Sequence, residues 1–164
     1  MCCYLNYITV YFWVKKVYCI SVNYKKSDVN VRKKLAFSEN EQNNILTELV
    51  NSKKVSECVI LCTCNRTELY FCGNKDSVSI AENLLSDYSG IECDLLRKHL
   101  CLFYSDKAVL HLFRVVSGIE SMVIGEDEIL GQVRLAPQRH GIPYTDILFP
   151  SADFSEIQST RAKQ

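Results

Sequence analysis

The chain has 164 residues, of which 48% are hydrophobic and 23% are charged. This composition excludes a disordered or fibrous chain, and the length allows one domain with a substantial core. Lysine plus arginine and aspartate plus glutamate balance at 19 each, so the net charge gives no argument for non-specific nucleic-acid binding.

Nine cysteines are a high count for this length. Their odd number and irregular spacing argue against a disulfide scaffold and favour a reducing, cytoplasmic compartment. Residues 4–14 form an apolar run that is too short to span a bilayer and has no basic residue before it, which argues against a secretory signal. We interpret residues 1–16 as an extra strand or an extension outside the domain.

The first predicted elements are a strand and two helices. Residues 17–24 are rich in β-branched and aromatic side chains and predict a buried strand. Asn30 is predicted to cap a short helix that runs to Phe37. Ser38 and Glu41 have the spacing of a capping box, which predicts the start of a second helix.

The second half of the domain alternates strands and helices. Residues 57–61 and 69–72 predict two strands, and helical spacing over residues 77–88 predicts a helix that Gly90 ends. Three further elements follow: a short helix at 94–98, a strand at 101–104, and a helix from Asp106 with an apolar stripe of Val109, Leu110, Leu112, Phe113 and Val116.

This order of elements predicts an α+β fold. A four-stranded antiparallel sheet with helices on one face, close to the ferredoxin-like or split-βαβ pattern and followed by helices, satisfies it. After Arg134 the periodicity is lost and Pro137, Pro143 and Pro150 break any long helix. We therefore separate a domain over residues 17–134 from a divergent, proline-containing tail over residues 135–164.

Cys64 is the leading candidate for chemistry. It follows a predicted strand in the stretch Thr63-Cys64-Asn65-Arg66, where a sheet edge holds a loop rigidly and leaves its side chains accessible. A thiolate attacks esters and other activated acyl groups, and a nearby cation favours its formation. Arg66 could supply that charge or hold a substrate carboxylate with its planar fork, and Thr63 and Asn65 could donate hydrogen bonds.

Two other interpretations of Cys64 stay open on spacing alone. It could be one more small core residue, as most cysteines in such a chain are. It could also belong to a metal site with Cys58, Cys62 and Cys72, although the CxC spacing lacks the usual CxxC knuckle.

A second candidate segment covers residues 115–133. Glycines interrupt its apolar run, and Ser121, Glu126 and Gln132 are interspersed, a pattern that suits a pocket wall. It is not GxGxxG, so no dinucleotide site is indicated. His111, on the preceding helix, is either an acid/base or orienting group or a packed core histidine.

Three motifs together resemble the amino-terminal catalytic domain of glutamyl-tRNA reductase. They are SVNYKKSDVNVRKKLAFSENE, LCTCNRTELYF and HLFRVVSGIESMVIGEDEILGQVR. The resemblance implies the first committed step of tetrapyrrole (porphyrin) biosynthesis. In that step the Cys64 thiolate attacks the ester that joins glutamate to the tRNA 3′ end, and hydride from NADPH reduces the resulting thioester to glutamate-1-semialdehyde.

The resemblance also implies roles for individual residues. Thr63, Asn65 and Arg66 would line the glutamate site, with Arg66 on a carboxylate, and His111 would be important for activity. The second substrate-contacting segment would comprise Ser121, Glu126, Asp127, Glu128 and Gln132. Two positions depart from the family pattern, because Tyr24 stands where many members have histidine and Glu128 stands where glutamine is common.

Family members continue beyond this domain into a linking helix, an NADPH-binding Rossmann domain and a dimerisation helix. We therefore expect a truncated form that binds glutamyl-tRNA but cannot complete the reduction by itself, with no metal, membrane or DNA partner. Full-length members form homodimers. A residual glutamyl-tRNA esterase and a non-catalytic binding fragment are the alternative functions.

Overall fold

The computed structural model describes residues 16–120. The predictions for residues 1–15 and 121–164 therefore lie outside the described residues. The elements are β1 Lys16–Asn23, α1 Val29–Lys34, α2 Glu39–Asn51, β2 Val55–Cys62, β3 Arg66–Gly73, α3 Lys75–Ser89, α4 Cys93–His99, β4 Cys101–Tyr104 and α5 Asp106–Val116. None of these helices is long and apolar enough to cross a membrane.

The four strands form one antiparallel sheet in the order β2-β3-β1-β4. This confirms the predicted sheet and its split-βαβ pattern, in which β3 lies between β1 and β2, and β1 lies between β3 and β4. The register pairs Asn23 with Arg66 and Ser21 with Glu68. The end of β1 therefore lies beside the start of β3, where the Cys64 loop ends.

The sheet has a core on each face, because successive strand residues point to opposite sides. Tyr18, Ile20 and Val22 face the larger core, which the helices α1 to α4 cover. Val17 and Cys19 face a smaller core closed by α5. The helices therefore do not all lie on one face, since α5 packs against the side opposite the other four.

Helix boundaries follow local capping signals. Ser38 and Glu41 form both bonds of the predicted capping box. Gly90 ends α3 in the left-handed conformation, at a φ of 62°, as its position predicts. The predicted cap at Asn30 is wrong: Asp28 caps α1, because its carboxylate accepts hydrogen bonds from the backbone N–H groups of Asn30 and Val31.

The start of β3 and the face of α5 also differ from the prediction. β3 begins at Arg66, three residues early, because polar residues continue its ladder with β1. In α5 the buried side chains are Ala108, His111, Leu112 and Val115, whereas Leu110 and Phe113 are 59% and 64% exposed. Both corrections concern the candidate site, because Arg66 becomes a strand residue and His111 becomes a buried one.

Candidate functional site

Cys64 lies in a short loop that joins β2 to β3 and is held by its own hydrogen bonds. The Thr63 N–H donates to the Arg66 carbonyl at 2.8 Å, and the Asn65 N–H donates to Thr63 Oγ1 at 3.2 Å. The Asn65 carbonyl also accepts from the Tyr24 N–H at 3.0 Å, which ties the loop to the end of β1. These bonds fix the backbone around Cys64 while its side chain stays exposed.

Exposure separates Cys64 from the other thiols. Of the seven cysteines in residues 16–120, it is the only exposed one. Cys19, Cys58 and Cys72 are buried in the sheet. Burial raises the pKa of Cys58 to about 12 and that of Cys19 well above its ordinary value, so both stay protonated at neutral pH. Cys64 is thus the thiol that a large substrate can reach.

Arg66 is buried and bonded to the protein. As the first residue of β3 it points towards α5, and its side chain is only 2% exposed. Nη1 donates to Glu68 Oε1 at 3.1 Å, and Nη2 donates to the backbone carbonyl of Glu120. Its planar fork therefore binds two protein oxygens just beneath the Cys64 loop.

Glu68 is the centre of this buried network, and the sequence analysis missed it. The carboxylate is completely buried. It accepts four hydrogen bonds, from Ser21 Oγ at 2.9 Å, Arg66 at 3.1 Å, Tyr70 OH at 2.7 Å and His111 Nε2 at 3.0 Å. One signal could have revealed it, because Arg66, Glu68 and Tyr70 alternate along β3 and so share a face.

The network keeps Glu68 ionised. Burial alone raises the pKa of this carboxyl group, but the hydrogen bond from His111, the charges of His111 and Arg66 and the Tyr70 bond together bring the pKa below its ordinary value. An ionised carboxylate only accepts hydrogen bonds, so Nε2 of His111 must carry a proton. The Glu68 carboxylate thereby makes Nε2 the hydrogen-bond donor of the His111 ring.

His111 is held between two partners. The buried face of α5 places it over the sheet, where its ring stacks on Phe103 with centroids 4.2 Å apart. Together with the Glu68 bond, this stacking sets the plane of the ring. The packing and orienting interpretations of His111 are therefore not exclusive: the ring is a packed residue with a fixed polar partner.

A cavity of about 330 Å³ opens beside the network. His111, Asn23 and Phe103 border it, together with four cations and one carboxylate: Lys25, Lys26, Lys107, Arg114 and Glu120. Cys64 does not line this cavity. The end of β1 links the cavity to the Cys64 loop. Asn23, which borders the cavity, pairs with Arg66, and the next residue, Tyr24, bonds to Asn65.

The cysteines of the predicted metal cluster do not converge. Cys58 faces the larger core and Cys72 the smaller one, on opposite sides of the sheet. Among the described residues, the one group of three potential ligands is Cys19, Glu68 and His111. Arg66 already supplies positive charge to Glu68 there, and the Cys19 thiol is held protonated, so this group does not suit a cation.

The remaining predicted site residues are Ser121, Glu126, Asp127, Glu128 and Gln132, which lie outside the described residues. Within residues 16–120, the structure brings together Arg66 and His111 through Glu68. Thr63 and Asn65 flank Cys64 and are partly buried.

Comparisons with known proteins agree on one family. The family described as "Glutamyl-tRNAGlu reductase, N-terminal domain" matches residues 20–140. A glutamyl-tRNA reductase of Shouchella clausii is 43% identical over 119 residues, which cover 71% of this chain and 26% of that protein. One of Shewanella oneidensis is 41% identical over 117 residues, covering 71% of this chain and 28% of that protein.

A solved structure has the same fold. Glutamyl-tRNA reductase from Methanopyrus kandleri superimposes with a TM-score of 0.64 at 30% sequence identity, covering 82% of this chain and 31% of that chain. The chain thus spans about a quarter of the length of the curated relatives that it matches.

Proposed function

Because the chain belongs to the family of glutamyl-tRNA reductase N-terminal domains, we propose that Cys64 is the nucleophile that accepts the glutamyl group from glutamyl-tRNA. The family match confirms the resemblance of the sequence motifs. The observation that supports the role of Cys64 is its exposure on a backbone-anchored loop beside a buried polar network, while Cys19, Cys58 and Cys72 are buried.

The proposed step is an acyl transfer. Cys64 loses its proton, and its sulfur forms a bond to the carbonyl carbon of the glutamyl ester. The ester C–O bond then breaks, and the 3′ hydroxyl of the tRNA leaves with a proton. The products are an S-glutamyl thioester on Cys64 and free tRNA. No electron is gained or lost, so this step requires no reductant.

The buried network supports this step from below the loop. The Arg66 guanidinium, fixed by Glu68, lies two residues from Cys64 along the chain, and its planar fork suits the carboxylate of glutamate. Direct contact between that carboxylate and Arg66 would displace the Glu120 carbonyl from Nη2. The Glu68 carboxylate also holds His111 in one orientation, and His111 acts as an orienting group at the cavity wall.

The turns that enter α1 and α3 do not fit the pyrophosphate of NADPH, the cofactor that the resemblance implies for the reduction. The turn from β1 to α1 contains no glycine, and the helix is capped by the carboxylate of Asp28, which repels a phosphate. The turn from β3 to α3 is filled, since a Cβ at Gly73 would lie 2.4 Å from Ser77 Oγ. We therefore assign acyl transfer, and not the hydride step, to residues 16–120.

A second outcome of the same intermediate is hydrolysis. Since the Cys64 side chain is exposed, water can reach a thioester formed on it and release free glutamate. This esterase activity is the second candidate function, and it uses the same nucleophile.

The test uses the 164-residue chain and tRNA charged with labelled glutamate. We expect protein-bound label that hydroxylamine removes, with release of free tRNA, for the wild type and for Cys93→Ser. Cys93 is a partly buried thiol on α4 and serves as the matched control. Cys64→Ser should bind no hydroxylamine-labile label and release tRNA at the background rate. Equal labelling of Cys64→Ser and wild type would refute the proposal.

A further inference from the structure

The cavity beside His111 carries a charge that the chain as a whole lacks. Lysine plus arginine and aspartate plus glutamate balance over the full sequence. Around the cavity, four cations face one carboxylate, that of Glu120. Low-dielectric walls that carry one sign of charge focus the field into the cavity, so this wall attracts anions.

The internal ion pairs neutralise only part of this charge. Glu120 is paired with both Lys25 and Arg114, the latter at 2.8 Å from Nε to Oε1. Lys26 donates to the Leu100 carbonyl, which satisfies a hydrogen bond without cancelling its charge. Lys107 is exposed at the start of α5 and has no acidic partner within the described residues. An anion in the cavity would therefore meet Lys26 and Lys107.

The cavity also presents apolar and aromatic surface between its cations. Phe103 lines its wall and is stacked on His111, and Leu110 beside it is 59% exposed. Cations that alternate with an aromatic ring and an exposed apolar side chain are typical of surfaces that bind single-stranded nucleic acid, where bases and riboses pack between phosphate contacts.

The cavity lies next to the proposed nucleophile. The residues at its border, Asn23 and Lys25, flank Tyr24, whose N–H bonds to the Asn65 carbonyl immediately after Cys64. The ester that Cys64 would attack is on the terminal ribose of the tRNA. The phosphate attached to this ribose must therefore lie near the Cys64 loop when the ester reaches the sulfur, and the phosphates before it follow along the strand.

We propose that this cavity binds the phosphates of the single-stranded 3′ end of the tRNA, with Lys26 and Lys107 as the phosphate-contacting residues. The inference rests on the proposed function for the identity of the nucleic acid. It adds a binding subsite that is separate from the thiol and from the glutamate carboxylate.

The test measures binding of uncharged RNA, which needs no catalysis. The probe is a synthetic acceptor stem-loop with a single-stranded 3′ tail, titrated at several salt concentrations. For single strands, log K changes with log salt by about −0.7 per phosphate contact, so each lost contact costs about 5-fold in affinity at 0.1 M salt. The Lys26→Gln/Lys107→Gln variant should bind about 25-fold more weakly, with a salt slope smaller by about 1.4.

A charge-matched control removes two lysines from the other end of the sheet. Lys54 and Lys75 are exposed there, next to the end of β3 at Gly73, so Lys54→Gln/Lys75→Gln should keep the wild-type affinity and slope. Circular dichroism establishes that both variants fold. Wild-type affinity and slope in the Lys26→Gln/Lys107→Gln variant would overturn the inference, and so would an equal loss in the control.

A phosphate-free substrate separates this inference from the proposed function. Acylation of Cys64 by an aryl ester of glutamate should be unchanged in Lys26→Gln/Lys107→Gln. Loss of this acylation with unchanged RNA binding would overturn the inference, because the cavity would then hold glutamate itself. If neither the wild type nor any variant is acylated, the proposed function fails. Weaker RNA binding with a smaller salt slope in Lys26→Gln/Lys107→Gln would still support the phosphate subsite.

Discussion

Replacing Glu68 by glutamine tests whether the buried carboxylate holds the site together. The substitution keeps the shape of the side chain and removes its charge. Arg66 is buried with its Nη1 3.1 Å from Glu68, so the variant leaves a guanidinium in the interior without its counter-charge. Removing one partner of a buried ion pair typically costs about 3–5 kcal/mol.

The structure places the expected cost at the lower end of this range. The glutamine oxygen can still accept from Ser21, Arg66 and His111 at the position of Oε1, and its NH₂ group can donate to the Tyr70 hydroxyl. Most hydrogen bonds therefore have partners, and the loss is mainly electrostatic. We expect the free energy of unfolding to fall by about 3 kcal/mol at pH 7.

The pH dependence of this difference follows from the direction of the Glu68 shift. Its pKa is lower in the folded chain than the unfolded value of about 4.3. The ionised carboxylate therefore stabilises the fold fully above the unfolded pKa, and this contribution is lost as the pH falls through the folded value. The gap between wild type and Glu68→Gln should be constant near neutral pH and should narrow below about pH 4.

The assay is urea unfolding followed by far-ultraviolet circular dichroism from pH 7 to about pH 3, so that it covers the range in which the gap should narrow. Asp87→Asn, on the exposed side of α3, is the control and should change stability by less than about 0.5 kcal/mol. A cycle with Arg66→Gln should show coupling of more than about 1 kcal/mol, because the two residues share one interaction. A loss below about 1 kcal/mol for Glu68→Gln, or an additive cycle, would refute the reasoning.

Four further variants test the fold with the same urea assay. Ser38→Ala removes the capping box of α2 and should cost about 1 kcal/mol; an unchanged midpoint would contradict it. Gly90→Ala forces a Cβ into the left-handed region, although the space around it is open, and should cost about 1–2 kcal/mol from backbone strain alone. Leu112→Ala should cost about 2–3 kcal/mol, whereas Leu110→Ala should cost less than about 0.5 kcal/mol; equal costs would place α5 on a different face.

Local features of the chain predicted much of the fold. The capping box at Ser38 and the stop at Gly90 depend on residues a few positions apart, so the sequence contains all the information that they need. The strand β4 was predicted at its observed bounds for the same reason. The loop position of Cys64 also follows from sequence, since two strand patterns enclose it.

Patterns with a helical period did not decide which side of α5 is buried. Leu110 and Phe113 are the larger apolar side chains, yet the small Ala108 and the polar His111 face the sheet. The sheet accepts His111 because Glu68 offers it an ionised partner, and that partner lies 43 positions away. A sequence window that covers only the helix cannot contain this information.

The sequence by itself determined the family, the α+β order of elements and the identity of the candidate nucleophile, because motifs and short-range spacing carry them. Only the tertiary structure decided that Arg66 is buried, that Glu68 joins it to His111, and that a cationic cavity lies beside them. The physical reason is that a charged side chain is buried only where partners of opposite charge converge on it. The pairing of β1 with β3 and the packing of α5 bring those partners together.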